Sequence, residues 1–285
     1  MVRVLRAGLQ SLIVDRGRFG MRDRGVAWCG AMDVYAFSAA NALLGNDPNA
    51  AAIEIVYGDV EFSFDGAARV ALAGADCAAT LDGTPLPAWS AFDAMAGSRL
   101  RLRRPREWVR TIAAFGGGIA VPLVLGSRTT DCTARIGGME GRALRTGDAF
   151  ALGAAATRDA VRPIEVPHLA ERFRVIAEPG YDGLWTQPWS IGHESNRTGW
   201  QLRGAPLAHG EGSIPSRAVF PGVIQLPPAG EPIVLGADAQ TTGGYPVAGI
   251  VVESDLWMLA QMPLGSTIRF QPCTLDEAER ACTSI

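Results

Sequence analysis

The side chains best equipped for chemistry lie in five polar, glycine-rich stretches: Asp15–Asp33 (DRGRFGMRDRGVAWCGAMD), Phe115–Asp131 (FGGGIAVPLVLGSRTTD), Arg135–Leu144 (RIGGMEGRAL), Glu194–Trp200 (ESNRTGW) and Asp238–Pro246 (DAQTTGGYP). The last is the densest. Between the apolar runs EPIVLGA and VAGIVVE it sets a carboxylate (Asp238), an amide (Gln240), two hydroxyls (Thr241, Thr242), two glycines (Gly243, Gly244), a phenol (Tyr245) and a proline. Adjacent glycines let backbone N–H groups approach an anion or a planar amide closely, and Thr and Gln offer directional donors and acceptors. Together the stretches suit a small polar ligand. Each also has a plainer reading. TTGGYP reads as a turn with glycines at positive φ, and SNRTG as a solvated loop. GSRTTD reads as a turn with Arg128 paired to Asp131, and Gly116–Gly118 as a bulge or strand end.

Several kinds of chemistry are excluded. All 26 basic residues are Arg, so Schiff-base, P-loop and biotinyl lysines cannot occur. No G-x-x-x-x-G-K, G-x-S-x-G or H-E-x-x-H motif is present, and HESNR lacks its second His. His168, His193 and His209 are too far apart in sequence for a local metal motif. The 26 basic residues face 29 acidic ones, a formal net charge of -3, so no strong field draws the protein to nucleic acid or anionic lipid. Cys29, Cys77, Cys132, Cys273 and Cys282 form no C-x-x-C pair and leave an odd thiol, and Arg interrupts the N-terminal region. A reduced, cytoplasmic setting is expected. No apolar run reaches the roughly 18 residues of a membrane span.

The elements that must position these stretches are mostly strands. Alternation marks DVEFSF and RLRLR, and short apolar runs mark IEIVY, RVALAG, FRVIAE, PIVLGA and GIVVE. Asp82-Gly83 predicts a tight hairpin. Gly (34) and Pro (18) punctuate the strands, which fits barrels or sandwiches better than a doubly wound sheet. Three short helices are predicted: one capped by Asp33 and stopped by Gly45, one capped by Ser254 and ended by Pro263, and one opened by a Thr274–Glu277 capping box. With 285 residues and 48% hydrophobic side chains the chain suits two domains. The expected division is 1–160 and 161–285, where Ala, Arg and Pro replace the strand patterning.

The motif order D-x-G-R-x-G, GAMD…AANALLGN…IEI, AGAD, GGI-x-VP-x-VLGSR-x-T, GGMEGRAL-x-x-GD, SNR-x-G and IQLPP…PIVLGAD-x-QTTGGYP resembles the biotin-dependent carboxyltransferase family. That family includes the second-subunit domain of allophanate hydrolase, the KipA proteins and the C subunit of 5-oxoprolinase. The resemblance implies a mainly β fold with a few short helices and two cyclophilin-like β-barrel subdomains. It also implies partners: a KipI-like protein, similar to the B subunit of 5-oxoprolinase, and a LamB/YcsF-like protein, similar to its A subunit. The matching positions here are Arg128, Thr130, Asn196, Arg197, Gln225 and Asp238 through Pro246. On this resemblance Gln240, Thr241 and Thr242 are expected to hold an amide, the Gly243 and Gly244 N–H groups to approach an oxyanion, and Arg197 or Arg128 to meet a carboxylate or phosphate. Asn196, Thr130, Gln225 and Tyr245 complete the expected substrate contacts, and Asp238 is the expected proton-transfer group, with Gln240 beside it. Cys29, Thr198, His193 and Glu194 depart from the residues many relatives carry.

The activity so implied is that of the C component of an ATP-dependent 5-oxoprolinase, which opens the lactam of 5-oxoproline to glutamate and is inactive without its partners. ATP is expected as co-substrate of the complex, with no cofactor resident on this chain. Two alternatives stay open. One is a carboxyltransferase moving a carboxyl group to urea or a similar amide from biotin on another protein. The other is a KipA-like regulator binding a KipI-like kinase inhibitor without chemistry.

Overall fold

The computed structural model describes residues 1–154, 164, 166–208 and 214–282. The chain forms two compact units, Met1–Phe19 with Cys29–Pro167, and Gly20–Trp28 with His168–Ile285. The boundary expected at residues 160/161 lies outside the described residues. The protein is mostly β, as the strand patterning and the resemblance imply.

In the first unit, a six-stranded sheet runs in the order Ala149–Phe150, Val2–Ala7, Val60–Phe64, Arg99–Leu102, Thr80–Leu81, Thr84–Pro85. A five-stranded sheet runs Gln10–Val14, Ala52–Val56, Arg110–Phe115, Ala68–Gly74, Ser90–Ala94. Alternation assigns the side chains of Val60–Phe64 to two faces: Val60, Phe62 and Phe64 are buried, while Glu61 and Ser63 are partly exposed. The central strand Arg110–Phe115 is buried along its whole length because both its faces are covered. Ala113 and Phe115 join the core shared with the six-stranded sheet, and Ile112 and Ala114 pack on the other side with the Val34–Leu43 helix. That helix offers Ala36, Ala39 and Ala40 to Ala71, Ala73 and Ala114, small residues that allow close approach. Asp33 caps it as expected, accepting from the Ala36 N–H at 2.8 Å, and Gly45 follows at φ 64°.

Local turn chemistry is followed at Asp82 and Gly83. Both have positive φ, 51° and 86°, and they join Thr80–Leu81 to Thr84–Pro85 as a two-residue hairpin.

The second unit is a closed barrel in the order Arg172–Ala177, Val247–Val251, Val223–Gln225, Ile233–Leu235, Gly199–Arg203, Trp189–Ile191, Thr267–Pro272. All neighbours are antiparallel except the closing pair, where Arg172–Val175 run parallel to Arg269–Pro272. Phe173, Val175, Trp189, Leu202, Ile224, Val234 and Ile268 are buried within it. Trp189 directs its indole N–H to the Leu184 carbonyl at 2.8 Å, which satisfies the one polar atom of a fully buried side chain. The Thr274–Glu277 capping box forms before the Leu275–Cys282 helix: the Thr274 N–H donates to Glu277 Oε2 at 2.8 Å and the Glu277 N–H to Thr274 Oγ1 at 3.3 Å.

The Ser254 cap is corrected. The helix spans Glu253–Gln261 with Val252 at its cap position, and Ser254 and Asp255 are buried inside its first turn. They are taken up by Arg174, which pairs with Asp255 and donates to Ser254 Oγ at 3.2 Å. A long-range guanidinium thus takes the hydroxyl that local pattern assigns to capping. Among the described residues no helix is long and apolar enough to cross a membrane.

Candidate functional site

In the second unit, strand Ile233–Leu235 leaves the barrel into Gly236–Ala239 and then Gln240–Pro246. Two loops are fastened together there. The Gly236 N–H donates to Thr198 O at 2.8 Å and the Asp238 N–H to Arg197 O at 3.0 Å, so the GAD segment runs along the SNRTG segment. A Cβ at Gly236 would lie 2.4 Å from the Arg197 carbonyl oxygen, which is why this close approach needs glycine. Asn196 shapes the other loop, its Oδ1 accepting from the Thr198 N–H at 2.8 Å.

Across this seam, Arg197 Nε donates to Asp238 Oδ2 at 2.9 Å and Nη2 to Oδ1 at 2.8 Å. The pair is bidentate and nearly enclosed, with side-chain exposures of 7% and 14%. Both oxygens of the expected proton-transfer residue are therefore engaged by a guanidinium. The expected partner for a substrate carboxylate, Arg197, already holds one.

Gln225, at the end of Val223–Gln225, is 2% exposed. Its Oε1 accepts from Gln240 Nε2 at 3.3 Å, while its own Nε2 is buried without a hydrogen-bond partner among the described residues. Gly243 faces this amide. A Cβ there would stand 2.2 Å from Gln225 Nε2, whereas one at Gly244 would meet nothing nearer than 3.3 Å. Neither glycine has positive φ. The turn reading that asks for left-handed backbone is not realised, and Gly243 serves by leaving room for the Gln225 amide. Thr242–Gly243 pairs instead with Arg217–Ala218 as a two-stranded ladder. The hydroxyls of Thr241 and Thr242 make no hydrogen bond within the described residues, and Tyr245 is 41% exposed.

A further residue holds this loop and was not singled out by pattern. Arg22, from the Gly20–Trp28 excursion that folds with the second unit, donates through Nη2 to the carbonyls of Gln240 (2.9 Å) and Val219. Its guanidinium lies over the Trp28 ring at 5.2 Å. The Val219 N–H in turn donates to Thr241 O at 3.1 Å. The alternation and turn rules that locate strands carry no signal for such a clamp, because its partners are backbone carbonyls about 200 positions away.

Asn196, Arg197, Gln225, Asp238 and Gln240–Tyr245 thus gather in the second unit, while Arg128 and Thr130 belong to the first. Thr130 is fully buried and donates to the Ile13 carbonyl at 2.9 Å. The ion pair with Asp131 that the turn reading gives Arg128 is absent: Asp131 is buried and accepts from the Thr133 and Ala134 N–H groups. Cys29 is buried, and its carbonyl accepts from Thr129 Oγ1. Burial pushes the Cys77 thiol up to about 11, so this core thiol is not placed to act as a nucleophile. Among the described residues no group of three or more His, Cys, Asp or Glu could hold a metal ion.

Residues 24–272 match the family described as carboxyltransferase domain, subdomain A and B. The chain is 41% identical over 292 residues to the C subunit of 5-oxoprolinase from Escherichia coli (strain K12), covering 99% of this chain and 94% of that protein. It is 34% identical to the C subunit of 5-oxoprolinase from Haemophilus influenzae, over 98% of this chain and 94% of that one. The solved K. lactis urea amidolyase superposes with a TM-score of 0.92 at 24% identity, over 99% of this chain and 19% of the larger one, a likeness of fold alone. A match across most of its length, joined to a barrel that presents the SNR and QTTGGYP loops together, places this chain in the carboxyltransferase domain subdomain A and B family.

Proposed function

We propose that this chain is the C component of an ATP-dependent 5-oxoprolinase, working in a complex with a KipI-like and a LamB/YcsF-like protein on the lactam of 5-oxoproline. The observation that carries this reading is its end-to-end likeness to two proteins named as the C subunit of 5-oxoprolinase, which leaves few residues of either unmatched. The carboxyl-transfer alternative has behind it a more distant likeness to urea amidolyase, 27% identical over 292 residues but spanning only 16% of that protein.

The second-unit cluster suits an amide-reading role. Lactam opening adds water across the C–N bond: the carbonyl carbon gains the hydroxyl, and the ring nitrogen leaves with a proton. Gln225 Nε2 and the Thr241 and Thr242 hydroxyls, all without partners among the described residues, supply hydrogen-bonding capacity for a planar amide. Gln240, bonded to Gln225, sets the orientation of the Gln225 amide. We assign Asp238 to this machinery through Arg197: it holds the SNR loop against the QTTGGYP loop, and proton transfer by its carboxylate requires the pair to open.

The substrate decides between the readings. The three-protein mixture should hydrolyse ATP when given 5-oxoproline and not when given urea, bicarbonate and a biotinylated carrier. The reverse preference would select carboxyl transfer, and a stable complex inert to both would select the regulatory reading.

A further inference from the structure

The D-x-G-R stretch of the first unit braces one arginine whose terminal nitrogens have no partner among the described residues. Asp15 is 1% exposed and fully used: Oδ1 accepts from the Gly17 N–H (2.9 Å) and Ser127 Oγ (2.7 Å), and Oδ2 from the Arg128 N–H (2.6 Å). Arg18, completely buried, donates through Nε to Val124 O (2.9 Å) and through Nη2 to Thr129 O (2.8 Å), carbonyls on either side of Arg128. Gly137 closes over this arrangement, since a Cβ there would lie 2.1 Å from Thr129 O and 2.7 Å from Arg18 Nη2. The Arg128 side chain is itself tied at Nε to the Val121 carbonyl (2.9 Å).

What remains of Arg128 is its outer edge. Its two terminal nitrogens carry no hydrogen bond or ion pair among the described residues, and neither is sealed from solvent. Within the same residues Arg18 makes no ion pair either, and its Nη1 has no partner, so two permanent cations stand against the single Asp15 carboxylate of this hydrogen-bonded group. A guanidinium cannot deprotonate, so this charge persists at any working pH. A surface arginine with no task is free to move, whereas this one is held at its backbone N–H and its Nε by buried groups.

We propose that Arg128 is the recognition group of an oxyanion site in the first unit, with Asp15 and Arg18 as its positioning residues. Its ligand is a small-molecule oxyanion, either the carboxylate of the lactam substrate or a phosphate of the nucleotide. The choice of these two ligands rests on the function proposed above; the site itself rests on the geometry.

The test is equilibrium titration of the full chain with 5-oxoproline, its neutral carboxamide, ATP and inorganic phosphate. Arg128→Gln should weaken binding of 5-oxoproline, or of ATP and phosphate, roughly ten- to a hundredfold, the loss expected for hydrogen bonds to a charged group. It should leave the carboxamide unaffected. Loss for 5-oxoproline alone names the carboxylate as ligand, and loss for ATP and phosphate names the phosphate. Arg128→Lys should recover part of the affinity, because it restores charge without the fork. Asp15→Asn should weaken binding in the wild-type background and add little on top of Arg128→Gln, a coupling that a purely structural role would not produce. Saturable binding of none of these anions, or binding indifferent to Arg128→Gln, would overturn the proposal. The titration needs no turnover, so Arg128-dependent binding without lactam cleavage would sink the functional reading alone.

Discussion

Arg197 and Asp238, 41 positions apart, face each other as a bidentate pair that joins the SNRTG and GADAQ loops of the second unit. The pair is nearly enclosed, so its loss is felt through the partner left behind. Asp238→Asn would take the Asp238 negative charge away from the buried Arg197 guanidinium, at a cost of about 3 kcal/mol. Denaturant unfolding of Asp238→Asn, Arg197→Gln and the double variant checks this. The double variant should be less destabilised than the sum of the singles, and strict additivity would contradict the pairing.

Gly243 and Gly244 separate space from backbone freedom. Gly243→Ala forces the Gln225 amide aside, since its Cβ would come within 2.2 Å of Nε2, but only the end of a flexible side chain has to move. Turnover by the reconstituted complex should fall about tenfold or more, the loss of one good hydrogen bond to the reacting group, while the thermal midpoint changes little. Gly244→Ala, whose Cβ would meet nothing nearer than the Ile214 carbonyl oxygen at 3.3 Å and which needs no positive φ, should leave both near wild type. Equal effects of the two substitutions would deny Gly243 this role.

Arg22 is predicted to act on the same loop from a distance in sequence. Arg22→Met keeps an apolar stem but removes the guanidinium that lies over Trp28 and donates to the Gln240 and Val219 carbonyls, at a cost of about 1.5 kcal/mol. Hydrogen exchange should report it. The Val219 amide, which bonds Thr241 O, should exchange faster, whereas barrel amides such as Leu202 should not.

Local rules carried the strands, the Asp82-Gly83 hairpin, the Asp33 cap and the Thr274–Glu277 box, each of which depends on residues a few positions apart. They failed where a distant group competes. Ser254 has the composition of a cap, yet Arg174 draws it and Asp255 into the fold. The motif order pointed to Arg197, Gln225 and Asp238, but that Asp238 is spoken for by Arg197, or that Gly243 is small for the sake of Gln225, depends on strands brought together by barrel closure. Least legible was the Gly20–Trp28 segment, which folds with the second unit although the sequence on both sides of it belongs to the first.

Thiol reactivity follows burial. Cys132 and Cys282 are exposed and Cys273 is partly so, while Cys29 and Cys77 are buried. At pH 8 a disulfide reagent should label Cys132, Cys273 and Cys282 in the native protein and reach the other two only after unfolding. Cys77, raised from 9.0 to about 11 by burial, keeps its proton in the folded state where the unfolded chain has lost it. The folded state therefore binds more protons between those values, and stability should decline as pH rises from about 9 to about 11. Cys77→Ala should flatten that decline. Native labelling of Cys77 at pH 8 would contradict its placement.

The most direct measurement is glutamate formed from 5-oxoproline and ATP by the KipI-like and LamB/YcsF-like proteins, with and without this chain and with no biotin-bearing protein present. ATP-dependent glutamate is expected only when all three proteins are mixed. Glutamate at full rate without this chain, or none from the complete mixture, would contradict the proposed function.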